Sequence, residues 1–114
     1  MSTQARGSTT GRPLMRLLDL LGRRWTLRVL WELRDGALTF TALRHAAASV
    51  SQSVLTLRMR QLTEAGLVQP SDVGYQLTPA GRELVQEMAR LDRWAERWAA
   101  DASASDLSQD GRHA

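Results

Sequence analysis

The chain has 114 residues, 43% of them apolar and 24% charged, which suffices for one modest hydrophobic core and is too little for two. It contains no cysteine, which excludes disulfides, thiolate metal sites, thiol sensing and cysteine nucleophiles within these residues, and two histidines, His45 and His113, are too few to suggest a metal. The formal charge of +3 is unevenly spread: residues 1–62 carry 10 Arg against Asp19, Glu32 and Asp35, net +7, whereas residues 63–114 carry 5 Arg against 9 acids, net −4. That asymmetry suits a half facing a polyanion and a half facing elsewhere, although a merely polarised solvated surface gives the same numbers. All 15 basic residues are arginine, whose guanidinium suits bidentate phosphate and guanine contacts. No apolar run approaches the roughly 20 residues that cross a bilayer and residues 1–12 hold no apolar signal segment, so a cytoplasmic protein without membrane contact is expected.

Residues 1–12 and 101–114 are polar and predict disordered arms flanking one domain at 13–100. Pro13 suits a first helical position, and Leu14, Leu17, Leu18 and Leu21 follow at helical spacing before Gly22. A second helix is predicted over 23–34, ending at Asp35-Gly36. Its polar stripe of Arg24, Arg28, Glu32 and Asp35 is narrow, and Trp25, Leu27, Val29, Leu30, Trp31 and Leu33 cover the rest. So apolar a helix needs cover on several sides, part of it from a second subunit.

After the short extended piece Ala37-Leu38, Thr39 is a candidate N-cap for a helix that turns Phe40 and Leu43 inward and ends near Ala48. Ser51 caps the next, in which Leu55, Met59 and Leu62 form the buried stripe and Gly66 ends the run. Leu67-Val68 and Tyr75-Gln76-Leu77 read as the strands of a β-hairpin around a turn containing Pro70 and Gly74. Thr78 and Pro79 then open a long helix to about Ala100. Along it Leu84, Met88, Leu91, Ala95 and Trp98 alternate at spacings of four and three, a coiled-coil-like seam flanked by Val85 and Trp94.

The order is that of a mostly α winged helix-turn-helix with a small β-hairpin. More specifically, 22–33 (GRRWTLRVLWEL), 35–44 (DGALTFTALR), 49–68 (SVSQSVLTLRMRQLTEAGLV) and 74–84 (GYQLTPAGREL) together resemble the HxlR family of bacterial transcriptional regulators over about residues 14–98. The resemblance implies a DNA-binding homodimer whose recognition helix is the one after Ser51. Two departures stand out. The family's hairpin is usually longer and often basic, whereas six residues link Val68 to Tyr75 here and their sole charge is Asp72. The cysteine that some members use for sensing is absent.

Helical geometry sorts the recognition helix independently. With Leu55, Met59 and Leu62 inward, about 100 degrees per residue points Ser53, Thr56, Leu57, Arg60 and Glu64 outward. Gln52 lies at the end that usually meets base edges, where glutamine can read adenine and Arg60 could take guanine or a phosphate. Leu57 suits a thymine methyl, an incidental surface position or a partner contact, and Arg58 a phosphate clamp or an internal ion pair. Arg44, ranked ahead of Arg23, Arg24 and Arg28, is a backbone-contact candidate, against a simple solvated role for each. Arg6 and Arg12 would form a minor-groove arm if the tail orders on DNA. The expected DNA-binding set is therefore Arg44, Ser51, Gln52, Ser53, Thr56, Leu57, Arg58 and Arg60.

Trp25, Trp31, Trp94 and Trp98 lie on apolar helical faces and read as core or dimer-seam packing rather than a ligand cage, although an effector pocket between helices stays open. His45 reads as a surface or helix-end residue, not a switch. The dimer interface is expected to use Leu14, Leu18, Trp25, Leu84, Met88, Leu91, Trp94 and Trp98, with the long last helix in the seam. No cofactor is expected. The expected partners are double-stranded DNA and a second copy, with an unknown small-molecule effector or protein partner left open. An enzyme is disfavoured because no His–carboxylate pair, Gly-rich phosphate loop or nucleophile elbow occurs. The competing reading is a winged-helix module that binds another protein and has weak or lost DNA binding.

Overall fold

The computed structural model describes the backbone of residues 11–113 and the side chains of residues 11–103. The expectations for residues 1–10, Arg6 included, lie outside the described residues. The elements in order are α1 (Pro13–Leu21), α2 (Thr26–Glu32), α3 (Phe40–Ala46), α4 (Gln52–Glu64), β1 (Val68–Pro70), β2 (Tyr75–Leu77) and α5 (Pro79–His113). The chain divides into two compact units, one ending at Arg82 and the other starting at Glu83.

In the first unit, α1 starts on Pro13, whose missing N–H costs a helix nothing in its first turn, and closes where the Gly22 N–H donates to the Leu18 carbonyl at 2.8 Å. The second helix departs from the sequence reading. It begins at Thr26, not Arg23, because Trp25 takes a left-handed conformation at φ 77°. A periodicity of apolar residues carries no information on the sign of one φ angle, so the interruption is invisible to it. At its other end α2 stops at Glu32 with Leu33 as C-cap, three residues before Gly36.

The caps of the next two helices are those expected. The Thr39 hydroxyl accepts from Ala42 N–H at 3.0 Å, and the Ser51 hydroxyl from Val54 N–H at 3.2 Å. Helix α4 ends in a Schellman arrangement: Leu67 N–H donates to the Leu62 carbonyl, Gly66 N–H to that of Thr63, and Gly66 sits at φ 76°. Between α3 and α4 the chain turns through two left-handed residues, Ala48 and Ser49, neither of them glycine. Arg44 braces this turn, its Nε donating to the Val50 carbonyl at 2.7 Å.

The hairpin pairs Val68 with Leu77, Gln69 with Gln76 and Pro70 with Tyr75. Leu38 adds a bridge to Tyr75 through reciprocal hydrogen bonds of 3.0 and 2.9 Å, which docks the wing on the segment before α3. That docking requires Gly74, where a Cβ would stand 2.3 Å from the Leu38 carbonyl oxygen. The Ser71 hydroxyl closes the four-residue tip by accepting from Val73 and Gly74 N–H.

The core of this unit is Val29, Leu30, Leu33, Leu43, Ala47, Val50, Leu55, Met59, Leu62, Val68 and Leu77, all at most 3% exposed. The predicted stripe of Leu55, Met59 and Leu62 is buried as expected, as is Leu43, while Phe40 is half-buried.

Helix α5 opens with Thr78, whose hydroxyl accepts from Gly81 N–H at 3.0 Å and donates to the Gly66 carbonyl at 2.6 Å. Its backbone continues to His113, past the end near Ala100 read from the sequence. Residues 101–113 contain no proline to stop a helix that is already nucleated. In the second unit Trp94 and Trp98 stack with ring centroids 6.1 Å apart and remain more than half exposed, as does Leu91. These tryptophans are not core in the single chain. No helix among the described residues is long and apolar enough to cross a membrane.

Candidate nucleic-acid interface

The buried stripe of α4 fixes which way its other side chains point. Gln52, Ser53, Thr56, Leu57 and Arg60 line one open hollow on the far side of the helix from Leu55, Met59 and Leu62. Five of the eight residues predicted to meet DNA thus share one surface, and no described segment of the first unit covers it. The hollow mixes an amide, two hydroxyls, an exposed leucine and a guanidinium, the donor, acceptor and methyl contacts that base edges in a major groove require. Arg60 makes no hydrogen bond or ion pair among the described residues, so its five donors stay available at the surface.

The other three residues have structural work. The Ser51 hydroxyl is engaged as the cap of α4. Arg44 is half-buried and its Nε belongs to the turn, so any phosphate would be met by its terminal nitrogens. Arg58 departs most from the reading. It makes no internal ion pair among the described residues. Its Nε donates to the Arg24 carbonyl at 2.7 Å and its Nη1 to Gln61 Oε1 at 3.1 Å, which turns the side chain toward the protein body.

The same distinction separates the arginines outside α4. Arg28 pairs with Glu32 at 2.8 Å and also donates to the Ala46 carbonyl at 2.8 Å, tying α2 to the end of α3. Arg24 lies over the Trp25 ring, 5.0 Å from its centroid, and Arg34 over Trp31 at 4.4 Å. The hydrogen bonds of Arg28 and Arg58 to main-chain carbonyls 18 and 34 residues away left no trace in the sequence, because a carbonyl acceptor is offered by every residue type. His45 is exposed at the end of α3, as expected.

The wing supports less contact than the helix. Its tip is Ser71-Asp72-Val73-Gly74, with Val73 59% exposed and Asp72 as its only charge. A carboxylate there repels a phosphate backbone.

The pattern of a known family, described as HxlR-like helix-turn-helix, matches residues 20–103 of this chain. An uncharacterized HTH-type transcriptional regulator of Bacillus subtilis, YdeP, is 30% identical over 95 residues, 77% of this chain and 74% of YdeP. Among solved structures, quinone-bound YodB from B. subtilis superposes with a TM-score of 0.70 at 27% identity, covering 74% of this chain and 96% of YodB. A regulator from Enterococcus faecalis V583, described as of the MarR family, superposes with a TM-score of 0.73 at 27% identity over 90% of this chain and 96% of its own.

Proposed function

Since the chain belongs to the HxlR-like helix-turn-helix family of transcriptional regulators, whose winged-helix fold it has, we propose that it binds a specific pseudo-palindromic operator in duplex DNA as a homodimer. The observation that carries the reading is the division of α4: an inner stripe sealed in the core and an open outer face of Gln52, Ser53, Thr56, Leu57 and Arg60. Gln52 and Arg60 read base edges, Leu57 meets a thymine methyl, and the terminal nitrogens of Arg44 steady the backbone. A second copy covers the exposed apolar side chains of α1 and, separately, the Leu91, Trp94 and Trp98 face of α5.

One structural relative, YodB, was solved with quinone bound. In the 114 residues here no cysteine is available, so any signal these residues sense is read without thiol chemistry. A second reading, docking of another protein, is favoured by the apolar and acidic wing tip. Selection of bound sequences from a random duplex pool distinguishes the two. Two-fold symmetric sites whose affinity falls steeply with salt support the operator reading, and no enrichment above non-specific binding refutes it. Arg60→Ala costs about 1–3 kcal/mol on the selected site if Arg60 reads a base, and relaxes sequence choice at one position.

A further inference from the structure

We infer that Arg58 is a positioning residue: its Nε, bonded to the carbonyl of Arg24, holds α4 at its working angle by tying that helix to the corner between α1 and α2. The inference rests on the reading of α4 as the helix that enters the groove.

The corner explains why an arginine is needed. If α2 began at Arg23, the Arg24 carbonyl would accept from the N–H of Arg28 four residues on. The left-handed Trp25 breaks that register, and the first bond of the α2 ladder runs instead from Val29 N–H to the Trp25 carbonyl at 2.9 Å. Among the described residues no backbone N–H donates to the Arg24 carbonyl, and Arg58 fills it from 34 residues away at 2.7 Å. A second bond to Gln61, one turn along α4, fixes the guanidinium at its other edge. Arg60, two residues on and about 200 degrees round the helix, points into the open hollow. One helix thus carries two arginines with opposite tasks, a strut and a reader. The apolar stripe alone permits α4 to roll on its Leu and Met side chains, whereas a charge-assisted bond to a fixed carbonyl resists that motion on one flank.

The donor atom allows a sharp test. Glutamine places its Nε2 the same number of bonds from Cα as the Nε of arginine, so Arg58→Gln keeps a donor for Arg24 and loses the charge. Arg58→Lys keeps the charge and has a carbon at that position. A strut therefore ranks Gln above Lys, and a phosphate contact ranks Lys above Gln. Affinities of the full chain and its Arg58→Gln, Arg58→Lys and Arg58→Ala variants are measured on the selected duplex at several salt concentrations, with thermal melting to verify folding. The expected result is Gln within about threefold of the parent, Lys and Ala weaker by about tenfold, and one common salt slope. The reverse ranking, or a slope reduced by about 0.9 in Arg58→Gln, overturns the inference. A measurement without DNA separates it from the DNA reading: in the free protein, NMR finds the Arg58 Nε–H protected from solvent exchange and close to protons of Arg24 and Trp25. An Arg58 Nε–H exchanging as fast as that of Arg60 overturns the strut alone. A parent protein with no salt-dependent duplex binding overturns the groove reading and this role with it.

Discussion

Helices α1 and α4 are both amphipathic, yet the chain treats their apolar faces in opposite ways. In α4 the side chains of Leu55, Met59 and Leu62 are at most 2% exposed, each surrounded by the rest of the first unit. In α1 no residue is buried, and Leu14 and Leu18 are 61% and 49% exposed, with Met15 beside them at 39%. The same residue types at the same spacing therefore serve two ends. One face anchors a helix in the core of the first unit, and the other stays exposed among the described residues. The contrast teaches that the hydrophobic pattern identifies a face that must be covered without saying by what.

Substitutions can break or sharpen that contrast. The largest effect is expected at Leu55→Ala, which empties a fully buried site and costs about 2–5 kcal/mol in urea unfolding whatever the protein concentration. A loss below about 1 kcal/mol there would mean that α4 is not anchored as described. Next is Ser51→Ala, which removes the cap from the N-terminus of α4 and costs about 1 kcal/mol, with the start of the helix fraying in hydrogen exchange. Smallest in the dilute chain is Leu18→Ala, within about 0.5 kcal/mol of the parent because its site is open to water. If a second copy covers α1, the parent melts at a temperature that rises with protein concentration and Leu18→Ala weakens that dependence. A melting temperature independent of concentration in the parent would remove the argument for α1 as a self-association face.

Much of this molecule was legible in order and in period. Pro13, Gly22, Thr39, Ser51, Gly66 and Thr78 mark helix limits because each acts on its own first or last turn, a local interaction that a linear string records. The outward set Ser53, Thr56, Leu57 and Arg60 followed from the helical step once the inward leucines were known. The arginines were harder. In the sequence Arg28 offers a backbone contact or a solvated face and Arg58 a phosphate clamp or an internal ion pair, and both prove to be ties to distant carbonyls, whereas Arg60, pointed outward by the helical step, stays open. Charge says what a side chain can bind and not which acceptor the fold brings to it.

The amino-acid sequence by itself determined the order of the helices, the hairpin and the buried stripe of α4, because caps, turns and periodicity are interactions between near neighbours in the chain, and the class of regulator came from its resemblance to a known family. Only the tertiary structure decided that Trp25 is left-handed, that α2 therefore starts at Thr26, and that the Arg24 carbonyl so released is taken by Arg58. The last of these depends on the approach of segments 34 residues apart, and a one-dimensional pattern holds no record of which backbone groups are left without a partner until the chain has closed upon itself.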